Sequence, residues 1–174
     1  MFSYDPYAEL ASLREFAPLT VTSTDIADGQ PLPMAQWGAA GGGADTSPQL
    51  SWSGAPEGTK SFAVSCFDPD APTGSGFWHW AVYNLPPDVT SLATGEDRPE
   101  RGVTLKNESG VPGYIGAGPP PGTGVHRYFF VVDALDTVLD LPEGATPAIL
   151  GFNRHFHSIA RGILVATATS DASQ

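Results

Sequence analysis

Apolar residues concentrate in six short segments of the chain, where they either alternate with polar residues or run together. Each segment is rich in β-branched or aromatic residues and is bounded by Gly, Pro, Asp or Ser, as β-strands are. Because no regularly spaced helices separate them, the segments predict a sandwich or barrel with mostly antiparallel pairing. The predicted strands are LTVTST (19–24), QLSWS (49–53), SFAVSCF (61–67), WHWAVYNL (78–85), HRYFFVVDAL (126–135) and GILVATATS (162–170).

Near the end of the chain the apolar period changes to that of a helix. Thr146 is a suitable N-cap, and Pro147 suits the first helical position. We expect the helix to end before Gly162 and to pack on the sheet through four apolar residues: Ile149, Phe152, Phe156 and Ile159. A shorter helix is predicted near PYAELASLREF (6–16), where Pro18 limits its length.

Two of the predicted strands carry a histidine at or near their start. The two-residue period of a strand assigns the residues of 78–85 to two faces: His79, Ala81, Tyr83 and Leu85 on one, and Trp78, Trp80, Val82 and Asn84 on the other. In the strand at 126–135 the same period groups four residues on one face: His126, Tyr128, Phe130 and Val132.

Two aspartates, Asp68 and Asp70, come directly after the predicted strand at 61–67. Taken singly, each aspartate is explained as a turn cap, and each histidine as a residue at the edge of the core with one hydrogen bond. Their joint placement at strand ends favours a shared chemical site.

Length and composition indicate a loop-rich β protein. With 174 residues, 41% of them hydrophobic, the chain is long enough to bury a core. We predict a single domain over residues 1–174, with residues 1–15 and 170–174 peripheral. The content of 20 Gly and 17 Pro is high for a helical bundle. The segments at 38–48 and 86–124 are predicted to be long ordered loops, which are often functional.

The charge of the chain limits its partners and its location. A net charge of −11 and no local Lys/Arg cluster disfavour nucleic acid as a partner. A single cysteine excludes an intrachain disulfide, and MFSYDPYAEL lacks the basic start and apolar run of a signal peptide. We therefore expect a cytoplasmic protein. No apolar run approaches the roughly 20 residues that span a bilayer, so stable membrane insertion is not expected.

The loop GYIGAGPPPGTGVHRY (113–128) combines glycines, which leave backbone amides accessible, with prolines 119–121, which stiffen it. Such a loop can present amides to an anion. It is not a dinucleotide fingerprint, because prolines replace the third glycine and a strand follows. GAAGGGAD (38–45) is more simply explained as a flexible loop.

Other chemistries have weaker support. No G-x-S-x-G motif indicates a serine hydrolase, and Cys66 lies within an apolar strand, where an inert thiol is expected. In HFH (155–157) the two histidines would point in nearly opposite directions on a helix. Zinc held by His79, His126 and an aspartate stays open as a minor alternative.

Two motifs in order, FDPDAP (67–72) and GAGPPPGTGVHRYFF (116–130), resemble the phosphatidylethanolamine-binding protein family, also called Raf kinase inhibitor proteins. SPQLSWSGAPEGTKSFAV and GFWHWAVYNLP resemble its bacterial branch, and the similarity covers 19–168. The resemblance implies a Greek-key antiparallel β-sandwich with a short C-terminal helix. It also implies a small cavity for phosphate-like anions and phosphorylethanolamine head groups, and a cis proline at Pro72.

Carried over by motif, the family's pocket falls on nine residues: Asp68, Asp70, Pro72, His79, Gly116, Gly118, Pro119, Pro120 and His126. Histidine N–H groups and the Gly118 amide can donate to phosphate oxygens, while an aspartate orients a histidine or meets an ammonium group. Trp80 stands where animal members carry a second histidine, so access for the ligand differs.

Three classes of function follow. The favoured one is a protein that binds a small phosphorylated or anionic ligand and modulates a kinase or protease partner. The second is a hydrolase-type enzyme that uses His79, His126 and Asp68 for acid–base chemistry, although the family implies no established reaction. The third is a protein-interaction inhibitor with a vestigial cavity. We assign no catalytic residue, metal or cofactor, and similarity to bacterial members implies a homodimer.

Overall fold

The computed structural model describes residues 2–170, which form two α-helices and nine strands. Every predicted strand segment contains a strand, and the predicted loop at 86–124 contains two further short ones. The helices are α1 (Pro6–Leu13) and α2 (Pro147–His155). The strands are β1 (Ala17–Pro18), β2 (Thr20–Thr22), β3 (Leu50–Ser53), β4 (Ser61–Asp68), β5 (Phe77–Leu85), β6 (Ser91–Leu92), β7 (Val103–Thr104), β8 (His126–Leu135) and β9 (Ser158–Ala168).

The strands form two sheets. The large sheet has the order β1-β9-β8-β4-β5-β7, and the small sheet has the order β2-β3-β6. The strands pair antiparallel, except for the parallel pair of β1 with β9. The predicted mainly β fold is therefore confirmed. Among residues 2–170, neither helix has the length and apolar composition needed to cross a bilayer.

The main core lies between the two sheets. Trp52 of β3 packs against Phe62 of β4, with ring centroids 5.6 Å apart. On β8, Tyr128, Phe130 and Val132 all face this core, as the two-residue period predicts. The opposite face of the large sheet is covered by the two helices. There Tyr7 of α1 packs on Phe129 at 5.3 Å, and Leu150 of α2 packs with Ala63 and Ala81.

Two bulges change the faces predicted for β5. Cys66 pairs with Trp80, and Phe67 pairs with Trp78, so His79 is an extra residue without a partner on β4. A second shift lies between the pairs Val64–Val82 and Phe62–Leu85. The single alternation predicted for 78–85 is therefore wrong, because each bulge reverses which side the following residue takes. The inter-sheet core receives Trp80, Val82 and Leu85 together, while Ala81 and Tyr83 lie on the helix side.

Helix α2 begins as predicted but buries a different face. The Thr146 hydroxyl accepts the Ile149 amide at 3.2 Å, which confirms the N-cap. The buried residues are Pro147, Leu150 and Arg154, whereas Phe152 and Phe156 are 70% and 57% exposed. Ile159 belongs to β9 rather than to the helix. The predicted packing face is wrong for two reasons. The helix already ends at His155, and it contacts the sheet through Pro147, Leu150 and Arg154 instead of the predicted apolar residues.

Helix α1 confirms the predicted short N-terminal helix. The Asp5 carboxylate caps it by accepting the amides of Tyr7 and Ala8, each at 3.0 Å. The segment predicted to be peripheral contributes a core residue, because Tyr7 is buried. Of the predicted peripheral tail at 170–174, only Ser170 lies within the described residues, where its hydroxyl donates to the Pro119 carbonyl at 2.6 Å.

Candidate functional site

A cavity of about 320 Å³ opens where β4 ends and where β5 and β8 begin. We call it the strand-end cavity. Of the nine predicted pocket residues, all but Asp70 line it. Its walls are formed by Asp68, Ala71, Pro72, Thr73, Phe77, His79, Ile115, Gly116, Gly118, Pro119, Pro120, His126 and Tyr128. Two motifs that are far apart in the chain thus meet at one site.

A chain of hydrogen bonds crosses one wall of the cavity. The Asp68 Oδ2 atom lies 2.7 Å from His126 Nδ1, and both side chains are buried. The other carboxylate oxygen, Oδ1, accepts the Asp70 amide at 2.7 Å. On the far side of the imidazole, Nε2 lies 2.8 Å from the Thr123 hydroxyl. This arrangement fixes the His126 ring in one orientation.

Thr123 determines where the protons of His126 lie. A hydroxyl has one proton, and that of Thr123 is donated to the Pro120 carbonyl, 2.6 Å away, because a carbonyl can only accept. His126 Nε2 must therefore carry a proton and donate it to Thr123. The other ring nitrogen, Nδ1, faces the Asp68 carboxyl group. Sequence reasoning missed Thr123, although its position three residues before His126 in a tight loop was visible.

His79 is oriented by the loop opposite. Its Nδ1 lies 2.8 Å from the carbonyl oxygen of Ile115 and so carries the proton. In the neutral ring Nε2 is then an acceptor. The Gly116 backbone also lies close to the ring and acts to raise its pKa. Burial lowers the pKa of His79, an effect only partly offset by the Ile115 carbonyl and by Asp68. The ring is therefore neutral at neutral pH and packs against Phe77 and Tyr128.

Tyr128 adds a donor that sequence reasoning placed only in the core. The residue is wholly buried, and its hydroxyl has no hydrogen-bond partner in the described part of the chain. Burial raises the pKa of Tyr128, and the nearby Gly118 amide lowers it by less. The hydroxyl stays protonated at neutral pH. An unsatisfied donor in a cavity wall is a group that a ligand can satisfy.

Asp70 has a structural partner outside the cavity. Its Oδ2 accepts both the backbone amide and Nε of Arg127, each at 2.8 Å, and its Oδ1 accepts the Phe2 amide at 2.6 Å. Although burial acts to raise it, the pKa of Asp70 is lowered by the hydrogen bonds from Arg127. The two aspartates of this motif therefore point to opposite faces of the sheet. This is possible because the chain turns between them, so that the two-residue period of a strand no longer applies.

The glycine loop is held by a segment predicted to be flexible. The amide of Gly116 donates to Asp45 Oδ1 at 2.7 Å, and a Cβ on Gly116 would lie 2.2 Å from the Trp37 carbonyl carbon. The amide of Ala117 donates to Gln36 at 3.1 Å. The third amide, that of Gly118, faces the Tyr128 hydroxyl and lowers its pKa. The tract 38–45 therefore has an ordered role in positioning the cavity.

The turn at 69–76 differs from the expectation in one respect. All peptide bonds between residues 2 and 170 are trans, so the cis bond expected at Pro72 is wrong. Thr73 closes the turn with this geometry, since its amide donates to Ala71 at 2.8 Å and its hydroxyl to Gly76 at 2.7 Å. The trans form is the more stable one by about 0.5–1 kcal/mol even before proline.

The zinc alternative finds no support in this geometry. Within residues 2–170 no three His, Cys, Asp or Glu side chains are grouped as metal ligands. His79 and His126 each direct Nδ1 to a protein acceptor, and Nε2 of His126 faces Thr123. The free thiol of Cys66 is buried, and burial raises its pKa well above the ordinary value.

Comparison with known proteins places the chain among relatives of the same size. It is 45% identical over 156 residues to the UPF0098 protein YbhB of Escherichia coli, covering 85% of this chain and 98% of YbhB. The crystal structure of E. coli YbcL superposes with a TM-score of 0.84 at 40% identity, covering 89% of this chain and all of that one.

A third relative is more distant. The structure of the homolog CT736 from Chlamydia trachomatis has a TM-score of 0.76 at 35% identity and covers 88% of this chain and 99% of that one. The family model described as phosphatidylethanolamine-binding protein matches residues 22–169. With this match and these relatives, the chain belongs to the phosphatidylethanolamine-binding protein family.

Proposed function

We propose that the protein binds a small phosphorylated or otherwise anionic ligand in the strand-end cavity. The observation that supports this most is a buried hydroxyl without a hydrogen-bond partner, that of Tyr128, in the wall of this cavity. The same wall carries the Gly118 amide as a second donor and Nε2 of His79 as an acceptor. Burying polar groups without partners is costly, and a bound oxyanion would supply the partners.

The protonation of the site indicates which anion fits. Phosphate oxygens accept hydrogen bonds from Tyr128 and Gly118, while neutral His79 offers a lone pair. A ligand with one P–O–H group can donate to that lone pair. A fully deprotonated phosphate would instead require His79 to take up a proton. In both cases one proton lies between the ligand and His79. A ligand with a P–O–H group brings that proton, whereas a fully deprotonated phosphomonoester takes one up on binding.

The enzyme alternative has less support from the geometry. Besides Tyr128, the one hydroxyl in the cavity wall belongs to Thr73, and it is committed to the Gly76 carbonyl. An activated nucleophile needs an adjacent base, and His126 is directed at Asp68 and Thr123 instead. Ligand binding therefore uses the groups as they are oriented, whereas acid–base catalysis on a hydroxyl nucleophile would require new contacts.

Titration calorimetry with inorganic phosphate, phosphorylethanolamine and citrate tests the proposal. His79→Gln removes the acceptor Nε2, and we expect it to weaken phosphate binding by about tenfold, since a hydrogen bond to a charged group contributes about 1.5–3 kcal/mol. His157→Gln is the matched control, because His157 is exposed and pairs with Asp136.

Equal phosphate affinities in the wild type and His79→Gln would contradict the proposal, as would the lack of binding of all three ligands. Release of phosphate from p-nitrophenyl phosphate by the wild type, lost in His79→Gln but kept in His157→Gln, would favour the enzyme instead.

The same proposal includes the location of the protein, its oligomeric state and its protein partner. We expect a cytoplasmic homodimer in which the liganded cavity modulates a kinase or protease, on the similarity of the sequence to the bacterial branch of the family. Light scattering of the purified protein tests the dimer, since a mass of about 18.2 kDa, that of one chain, would contradict it.

A further inference from the structure

A second cavity lies on the other face of the large sheet, between the two helices. We call it the helix groove. Its volume is about 560 Å³, and its walls include Leu10 and Leu13 of α1 and Phe152 and Phe156 at the end of α2. Leu13 is 74% exposed, and Phe152 is 70% exposed. Adjacent apolar side chains at this exposure, around a concave surface, are typical of a binding site rather than of ordinary surface.

The floor of this apolar groove contains a buried cation. Arg154 lines the groove and is only 2% exposed. Its Nη1 donates to the Ser65 hydroxyl at 2.9 Å, and its guanidinium lies over the Trp78 ring and beside the Tyr7 hydroxyl. A guanidinium has five N–H donors. The buried Tyr7 hydroxyl has the Arg154 guanidinium as its polar neighbour and no other hydrogen-bond partner in residues 2–170.

The charges beneath the groove do not balance. Two guanidiniums, Arg154 and Arg161, flank the single carboxyl group of Asp133. Asp133 Oδ1 accepts Arg161 Nε at 2.7 Å, whereas its Oδ2 is 3.5 Å from Arg154 Nη1 and accepts no hydrogen bond among the described residues. Arg161 Nη1 is also buried without a hydrogen-bond partner in the described chain, so a single carboxyl group leaves both guanidiniums only partly paired. None of the described residues that line the groove is acidic.

The geometry points to a ligand of stated chemistry: we propose that the helix groove binds an amphiphile with one carboxylate head group and an alkyl tail. The carboxylate would pair with Arg154 and accept the Tyr7 hydroxyl, and the tail would lie between the phenylalanines of α2 and the leucines of α1. In a chain of net charge −11, an anion is favoured here only by the local excess of guanidinium over carboxylate.

The groove is separate from the strand-end cavity. Phe67 and Trp78 line the groove, while the residues that follow them, Asp68 and His79, line the cavity. The sheet lies between the two spaces. We therefore expect the two spaces to be occupied independently, and the groove does not depend on the proposed phosphate site.

Binding of decanoate and of 1-decanol, followed by NMR shifts of the backbone amides of α1 and α2, tests this inference. In the wild type we expect decanoate to bind about tenfold more tightly than the alcohol, because only the carboxylate pairs with Arg154. Saturating phosphate should leave decanoate binding unchanged. Equal affinity for the acid and the alcohol, or displacement by phosphate, would overturn the proposal.

Two variants separate the tail from the head group. Gly151→Leu fills the groove, since a Cβ there already lies 4.0 Å from the Trp78 ring, and we expect loss of binding of both compounds. Arg154→Gln should remove the preference for decanoate. If this variant does not fold, Gly151→Leu still decides the site. Lys60→Gln, which removes an exposed cation elsewhere, is the charge-matched control. Unchanged decanoate binding in Gly151→Leu would contradict the groove as the site.

Discussion

The strand-end cavity and the helix groove lie on opposite faces of one sheet and differ in the kind of charge they offer. In the cavity the polar groups available to the proposed ligand are neutral His79, the Tyr128 hydroxyl and a backbone amide. In the groove the group is Arg154, whose pKa burial acts to lower but Asp133 keeps above its ordinary value. A site that uses histidine responds to pH, and a site that uses arginine does not.

The two sites also differ in how their buried carboxyl groups are used. Asp68 serves one histidine, while Asp133 serves two guanidiniums. Removing the second should have the larger consequence, because two permanent charges lose their only carboxyl partner within the described residues. The following predictions test this difference, in order of decreasing effect.

Asp133→Asn should cause the largest loss of stability. The residue is fully buried, and the change leaves Arg154 and Arg161 uncompensated, so the free energy of unfolding should fall by about 3–5 kcal/mol. Urea denaturation followed by tryptophan fluorescence measures it. Decanoate should raise the stability of this variant more than that of the wild type, because a bound carboxylate replaces the missing charge.

The control for this prediction is Asp88→Asn. Asp88 forms an exposed pair with Arg101 at 2.6 Å, and such pairs contribute little because solvent screens them. A similar shift of the urea midpoint in both variants would show that the buried network has no special role.

A change of pH should affect the cavity and spare the groove. Because a fully deprotonated phosphomonoester takes up one proton when it binds beside His79, phosphorylethanolamine affinity should rise as the pH falls from 7.5 to 6.5, by up to about tenfold. The phosphate itself titrates in this range, so the measured quantity is the difference between the wild type and His79→Gln. Decanoate affinity should stay constant. A pH dependence that is the same in both proteins would contradict the proton between His79 and the ligand.

The same histidine links the stability of the ligand-free protein to pH. Because burial lowers the pKa of His79 below its ordinary value of 6.5, the unfolded chain binds a proton more readily than the folded one. Stability due to neutral His79 is therefore present above pH 6.5 and is lost as the pH falls below it, toward the lower folded pKa. The wild type should lose more stability than His79→Gln between pH 7 and 5.

Tyr128→Phe should give the smallest effect on phosphate affinity, and it should change affinity without lowering stability. The hydroxyl has no partner among residues 2–170, so its removal should leave the stability of the ligand-free protein unchanged or slightly raised. Phosphate affinity should fall several-fold, since a hydrogen bond contributes about 0.5–1.5 kcal/mol. Tyr83→Phe, on the helix side of β5, is the matched control. A stability loss without any loss of affinity would assign the hydroxyl a purely structural role.

The strands could be predicted from the sequence because strand formation depends on the local pattern of residue types, which is clear at residues 126–135 and 61–67. It failed for the faces of β5, because a bulge depends on which residues the neighbouring strand presents. It chose the wrong face of α2 for a similar reason. The buried face of α2 includes the charged residue Arg154, and only its pairing with Asp133 makes that burial favourable.

For the candidate site, the sequence brought Asp68, His79 and His126 together through two motifs, and the structure places all three in one cavity wall. Asp70 could not be separated from Asp68 by sequence, because both stand in the same turn and only Arg127 draws one of them away. The orientation of His79 depends on the Ile115 carbonyl, which lies 36 residues further along the chain.

The sequence by itself determined the family, the strand content and the pairing of an aspartate motif with a glycine loop. These features depend on residue type and on spacing over short distances along the chain. The tertiary structure decided which nitrogen of each histidine carries a proton, which aspartate faces the cavity, and the presence of a charged floor beneath α2. These features depend on hydrogen bonds between residues distant in the chain, and a one-dimensional pattern does not contain such distances.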